Sequence, residues 1–273
     1  MTDNDEDRDS DDDHYYGENS VDSIISEINC GEPPDVPNAS KATLGTLLDS
    51  VSSYSCNVGY SVASGTTTST LATCPAPPHL PNGKVMYSST AVHSTATYSC
   101  DANYRLFGLS LTSICEMPGS WSSLNGSCER VSFYNITTPR YIPVPGLVTD
   151  VWKIEAIGTP VNNSRFSFNL VKDARAIIAL HIDVRFNYFG FINTVLRGSL
   201  TGGTWDQAET DQPYFPFTQD EQFNLTILVT DTGFKLIVND NWQVTRIHHV
   251  NPSVINNIQT VGKTFYQSIK LFY

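Results

Sequence analysis

The sequence predicts an all-β chain. Its second half reads as one short strand after another, Phe166–Leu170, Ala176–Arg185, Thr194–Ser199, Phe223–Val229, Phe234–Val238, Trp242–Ile247 and Ser268–Tyr273. These runs alternate or stay apolar between turns such as Asp231-Thr232-Gly233 and Asn239-Asp240-Asn241. All six cysteines lie between Cys30 and Cys128, in a stretch too short to build much core without crosslinks. Helical periodicity is confined to Val21, Ile24, Ile25 and Ile28, a short packing stripe after Ser20. Strands at this spacing make a β-sandwich.

Composition narrows the function. With 273 residues, one to three domains are expected. Hydrophobic residues at 40% and aromatics at 11% suffice for packed cores. The net charge of −12 is unevenly placed: residues 1–13 carry eight acids against one arginine, net −7, leaving −5 for the rest. Nucleic acid and anionic membrane both need clustered Lys and Arg, which this chain lacks. No apolar run approaches the ~20 residues that span a bilayer. Residues 1–28 therefore read as a solvated acidic tail. Asp3, Asp5 and Asp7 begin like a calcium loop, but Arg8 and His14 occupy the positions that need glycine and glutamate. Tyr15 and Tyr16 beside this run are candidates for modification.

The cysteine region contains a repeat. Cys74, Cys100, Cys115 and Cys128 are followed or preceded by Pro75-Ala76-Pro77-Pro78, Pro81-Asn82-Gly83, Thr97-Tyr98-Ser99 and Trp121. No C-x-x-C pair suggests zinc or thioredoxin chemistry, and spacing alone leaves three connectivities open. Cys30-Gly31-Glu32-Pro33-Pro34 and Tyr54-Ser55-Cys56 repeat the opening of the same pattern, again with 25 residues between the cysteines. The pattern resembles the sushi, or complement-control, family. That resemblance implies Cys74–Cys115 and Cys100–Cys128 pairing over a module at 74–129. Residues 29–73 read as a truncated copy, in which Cys30 and Cys56 pair together, stay free or bridge another chain.

The strand His181-Ile182-Asp183-Val184-Arg185-Phe186 carries the most chemistry. Alternate side chains share a face, so His181, Asp183 and Arg185 form a polar row while Val184 and Phe186 enter the core. Trp205, in Gly202-Gly203-Thr204-Trp205, supplies the flat surface on which a sugar's C–H face packs. With Arg165-Phe166-Ser167-Phe168-Asn169-Leu170, Asn193-Thr194-Val195-Leu196-Arg197-Gly198-Ser199, Phe215-Pro216-Phe217, Phe234–Asn239 and Ile269–Phe272, this ordered set resembles the galectin family over residues 130–273.

The galectin resemblance implies a two-sheet jelly-roll β-sandwich that binds galactose-containing glycans without a cofactor. His181, Arg185 and Trp205 stand at the family's sugar-binding positions. Asp183 replaces an asparagine, Gly198 a second asparagine, and Asp211 an arginine, whereas Glu209 matches the family glutamate. An ionised aspartate accepts but does not donate, so specificity is expected to change. Asp183, Glu209 and Asp211 are expected around one cation, Arg185, with Arg185–Glu209 as the orienting pair, and to repel sialylated or sulfated glycans.

Two other functions compete with the lectin: a protein-adhesion module on the same fold, and a glycosidase built on Asp183 and Glu209. No nucleophile elbow, H-E-x-x-H or P-loop supports an enzyme. His248-His249 near Asp231 and Asp240 is a weak metal pattern, and Trp242 reads as packing. Crosslinks and the sequons at Asn38, Asn125, Asn135, Asn162 and Asn224 point to an extracellular chain in which the sushi modules contact other proteins. The acidic N-terminus shows no secretory signal. An incomplete N-terminus reconciles the two; unconventional export from the cytoplasm, as the galectin resemblance implies, is the alternative.

Overall fold

The computed structural model describes residues 32–46, 50–58, 73–117, 119–162, 164–173 and 176–273. The acidic tail, Tyr15, Tyr16, the stripe Val21–Ile28 and Cys30 lie outside these residues. Two compact units divide between Leu71 and Ala72. In the first, β1 (Ala39–Thr43) and β2 (Ser52–Cys56) form an antiparallel hairpin. The Tyr54 hydroxyl donates to the Pro34 carbonyl at 2.7 Å, and Lys41 pairs with Asp35 at 3.0 Å. Cys56 is an exposed free thiol.

The second unit opens with β3 (Gly83–Met86), β4 (Thr95–Cys100), β5 (Tyr104–Ser110), β6 (Thr112–Glu116), β7 (Ser120–Trp121) and β8 (Asn125–Arg130). Strands β3-β4-β6-β7 make one sheet and β5-β8 a two-stranded ribbon. The chain turns at Pro81-Asn82-Gly83, with Asn82 at φ +58°. Leu80, Ala96, Tyr98, Leu111 and Cys128 form the buried cluster here. Disulfides Cys74–Cys115 and Cys100–Cys128 crosslink this small cluster, and the Trp121 indole donates to the Pro75 carbonyl at 2.7 Å.

A single residue, Val131, joins β8 to β9 (Ser132–Thr137). Its N–H donates to the Asn103 carbonyl at 2.9 Å and its carbonyl accepts from Leu271 at 2.8 Å, so it is bonded on both sides. Phe107 meets Tyr273 edge-on at 4.9 Å, and Arg105 Nη1 donates to the Tyr273 carbonyl at 2.9 Å. Phe107 also lies where a side chain at position 146 would stand: a Cβ on Gly146 (φ +70°) would fall 2.7 Å from its ring. Burial pushes the Tyr273 phenol up to about 12, and its hydroxyl donates to the Pro145 carbonyl at 2.6 Å.

Two six-stranded antiparallel sheets follow. One runs β10 (Arg140–Pro143), β19 (Asn257–Gly262), β12 (Arg165–Lys172), β13 (Ile177–Tyr188), β14 (Phe191–Thr201) and β15 (Thr204–Trp205). The other runs β18 (Trp242–Ile247), β17 (Gly233–Val238), β16 (Phe223–Val229), β11 (Lys153–Pro160), β20 (Thr264–Phe272) and β9. Phe166, Phe168 and Leu170 from the first sheet meet Phe223, Phe234 and Tyr266 from the second in one core. Phe217, from the Phe-Pro-Phe run, fills the space against Phe166 and Phe223 at 5.4 and 5.1 Å.

Each of the seven runs read from the sequence forms a strand, mostly longer than the run; β13 extends three residues past Arg185 to Tyr188. Strands β9, β10, β11 and β19 were not expected. In β11 the inward residues include Ala156 and Gly158, small groups that dilute the period-two signal. Gly158 is small because Phe223 and Tyr266 occupy its place; a Cβ there would lie 2.8 Å from Phe223. In β19 the alternating residues are Gln259 and Asn257 against Ile258 and Thr260, and all but Asn257 are buried. Trp242 is buried packing, as read, with its indole donating to the Tyr214 carbonyl at 2.7 Å.

Candidate saccharide-binding face

Strand register places the polar row on the outer face of the first sheet. Cross-strand partners share a face, so Tyr141, Gln259, Asn169, His181 and Gly198 form one line across five strands. Ser167, Asp183 and Leu196 form the next, and Arg165, Arg185 and Thr194 the third. Val184 is buried on the opposite face, and Phe186 packs against the core from the same side.

The first line is hydrogen-bonded almost throughout. Gln259 Nε2 donates to the Tyr141 hydroxyl at 2.7 Å, Asn169 Nδ2 donates to Gln259 Oε1 at 2.9 Å, and Asn169 Oδ1 sits 2.6 Å from His181 Nδ1. An amide oxygen only accepts, so Nδ1 carries the proton in this contact. His181 is thus fixed in orientation by three side chains from three other strands.

Asp183 lies in the row but is fully buried, at 0% exposure. Arg165 Nε donates to its Oδ1, Arg185 Nε donates to its Oδ2 at 2.7 Å, and His181 Nε2 stands 3.9 Å from Oδ2. Arg185 is further held between Tyr188 and Phe191, 5.6 and 4.7 Å from the ring centroids. The expected Arg185–Glu209 pair is therefore replaced by Arg185–Asp183. Asp183 is close enough to bond both arginines, while Glu209 is claimed by other cations.

The rings Tyr188 and Phe191 flank a two-residue turn, Phe189-Gly190, with φ +49° and +76°. Positive φ at both positions is the type I′ pattern, which Asn or Gly fits and a bulky residue does not. Phe189 is 81% exposed and so has little burial to offset the strain. Phe189→Asn is expected to stabilise the protein by about 0.5–1 kcal/mol in urea denaturation; a loss of stability would mean that the edge-on contact of its ring with Tyr188 at 4.6 Å outweighs the strain.

Trp205 reaches the same face through a second tight turn, Gly202-Gly203, with φ +57° and +78°. Its indole is 45% exposed and lies 4.8 Å from the His181 ring, tilted by 50°. Gly198 leaves room beneath it: a Cβ there would contact Trp205 at 3.7 Å and Asp206 Oδ1 at 3.5 Å. Trp205 and Arg185 thus share one surface with the edge of the His181 ring, itself 5% exposed, and Asp183 lies beneath.

Glu209 and Asp211 do something else. Two arginines point between the sheets, Arg197 on β14 and Arg246 on β18, at 0% and 1% exposure. Asp211 Oδ1 pairs with Arg197 at 2.7 Å, Glu209 Oε1 with Arg246 at 2.7 Å, and Glu209 Oε2 lies 3.8 Å from Arg197. Asp206 bonds Arg246 and accepts the Ser199 N–H at 2.8 Å. Burial lowers the Arg197 pKa, and Asp211 and Glu209 oppose that shift. The surplus of carboxylates expected around Arg185 is therefore not found; Arg165, Arg197 and Arg246 share the neutralisation.

These buried arginines were missed by sequence reasoning, as were the roles of Asn169 and Asp206. Strand parity was the available signal: Trp242, Val244 and Arg246 alternate on one face, as do Val195, Arg197 and Ser199. His248 and His249 follow β18 instead of lying on it. His248 Nε2 donates to the Thr230 carbonyl at 2.8 Å, and His249 Nδ1 lies 3.3 Å from Asp206. Among the described residues no His, Cys, Asp and Glu group is placed to hold a metal, and no helix is long and apolar enough to cross a membrane.

Two known families match parts of this chain. The sushi repeat (SCR repeat) family matches residues 74–128, and the galactoside-binding lectin family matches residues 139–271. Galectin-1 of Ovis aries is 32% identical over 97 residues, 36% of this chain and 70% of that protein. Human galectin-4 is 28% identical over 139 residues, 50% of this chain but 42% of that protein, so the chain spans less than half the length of that relative. The crystal structure of Caenorhabditis elegans galectin LEC-6 is 24% identical, covering 52% of this chain and 96% of that one, at a TM-score of 0.46. The chain belongs to the galactoside-binding lectin family.

Proposed function

We propose that this chain is an extracellular lectin that binds galactose-containing glycans on the face formed by His181, Arg185 and Trp205. The observation that carries the reading is the half-exposed indole of Trp205 beside a histidine ring fixed from behind by Asn169. An apolar ring face next to directed hydrogen-bonding groups matches a sugar, which has C–H and O–H faces of its own. His181 and Arg185 are four positions apart on β13, about 13 Å at the usual strand rise. That length favours an oligosaccharide over a single ring.

Specificity differs from that implied by the family pattern. Asp183 has both oxygens committed to arginines, Gly198 offers no polar group, and Glu209 and Asp211 bond interior guanidiniums. Few direct hydrogen bonds remain, each worth about 1 kcal/mol, so single-site affinity is weak and multivalent display raises it. The crosslinked sushi-like module at 74–129 and the segment before it serve as arms for protein contacts. Asn38, Asn125, Asn135 and Asn162 are exposed and suited to glycan attachment; Asn224 is half-buried in β16 with its Oδ1 lacking a hydrogen-bond partner. The enclosure of Asp183 disfavours a glycosidase, whose acid must reach the glycosidic oxygen.

A glycan array tests the reading. The wild-type chain is expected to bind galactose-terminated glycans, with signal reduced at least about tenfold in Trp205→Ala. A flat array, together with protein capture by residues 74–129, would favour the adhesion alternative.

A further inference from the structure

We infer that Arg246, reaching across from the opposite sheet, is a positioning residue for Trp205. The segment after the indole is Asp206-Gln207-Ala208-Glu209-Thr210-Asp211-Gln212, with no large apolar residue. Hydrophobic burial therefore does not hold it. Its attachments are polar. Glu209 exchanges backbone hydrogen bonds with Arg197 at 2.9 Å each way, and the Gln212 amide spans the Val195 N–H and the Asn193 carbonyl at 2.8 and 2.9 Å. Arg246 donates to Asp206 and forms an ion pair with Glu209 at 2.7 Å, and Asp211 and Glu209 both face Arg197.

The dependence runs both ways. Arg197 and Arg246 are like charges buried together, and a buried cation without a partner is costly. The carboxylates that compensate them come from this loop. Docking of the loop and burial of the two guanidiniums therefore form one event, and that event sets where Trp205 stands over Gly198 and His181. Arg246 touches no part of the proposed sugar face, yet it fixes the ring that the sugar would pack on. The same clamp occupies Glu209 and Asp211, which stand where the galectin resemblance implies sugar contacts. The inference rests on the lectin reading only for its effect on affinity; the clamp itself is a property of the unliganded chain.

The test uses the full chain with Arg246→Met, which keeps bulk and removes the charge, and Glu209→Gln, which keeps the interior arginines. Hydrogen–deuterium exchange over residues 203–212 is expected to quicken about tenfold in Arg246→Met and less in Glu209→Gln, with β11 and β16 unchanged. Acrylamide quenching of tryptophan fluorescence is expected to rise, because Trp152 and Trp242 stay buried and Trp121 stays bonded to Pro75 in the crosslinked module, while the Trp205 ring leaves His181. Saccharide affinity is expected to fall about three- to tenfold although His181, Arg185 and Trp205 are intact. Arg246→Lys is expected to restore part of the protection, since an ammonium engages one carboxylate where the guanidinium spans two. Unchanged exchange in both charge-removing variants overturns the clamp. Faster exchange in a chain that binds no saccharide in wild-type form upholds the clamp and refutes the lectin reading.

Discussion

Asp183→Asn is expected to destabilise the protein by about 3 kcal/mol and to abolish saccharide binding, although it installs the asparagine implied by the galectin resemblance at that position. The carboxylate is fully buried and accepts from Arg165 on one oxygen and from Arg185 on the other. An asparagine offers one acceptor and one N–H₂ donor, so one guanidinium would face a second donor. Hydrogen bonds to charged groups contribute about 1.5–3 kcal/mol each, and removing one partner of a buried pair costs about 3–5 kcal/mol because the other charge is left uncompensated. The arginines keep side-chain exposures of 31% and 15%, which places the loss near the lower end of that range. Arg185 would lose the anchor that aims it along the face. Urea denaturation and a saccharide titration measure the two effects separately. An unchanged midpoint with tighter galactoside binding would show that Asp183 does not hold Arg185.

The second large effect concerns the crosslinked module. Cys74 and Cys115 are 41 residues apart and Cys100 and Cys128 are 28 apart. Loop-closure entropy gives each crosslink about 3.5–4 kcal/mol. Against that stands a core of Leu80, Ala96, Tyr98 and Leu111, far too small to offset the ordering of some fifty-five residues. The double substitution Cys74→Ala and Cys115→Ala is expected to unfold residues 73–130, while the jelly roll, with its own core, keeps a separate transition. Phe107 packs on Tyr273 and Gly146, so amide protection near Tyr273 is expected to fall as well. Equal melting profiles for the variant and the native chain would mean that the module is held by its docking and not by its crosslinks.

The architecture was legible where chemistry repeats at a fixed period. Alternation in Phe223–Val229 and Phe234–Val238 gave strands whose cores match the structure, and the cysteine pattern marked the small module. Strands β11 and β19 were hidden because Ala156, Gly158 and Gln259 weaken the alternation while still packing well against larger neighbours. At the face, His181, Arg185 and Trp205 were visible as a motif, and the structure brings them to one surface. What spacing along one strand does not contain is the partner from another. Arg165 on β12 takes one oxygen of Asp183, and Arg246 on the other sheet takes Glu209. Those two tertiary contacts redirect the charges from the arrangement that the galectin resemblance implied. The parity of Arg197 and Arg246 pointed inward, and a buried arginine implies a carboxylate brought to it.

The most direct measurement is a titration of the full chain with a galactose-containing oligosaccharide, followed by NMR at the Trp205 indole N–H, the His181 ring and the Arg185 guanidinium. Saturable shifts are expected at all three together, with His181 Nδ1 remaining protonated against Asn169. Binding that shifts other residues and leaves these three unmoved, or no shift anywhere at millimolar saccharide, would contradict the assignment of this face.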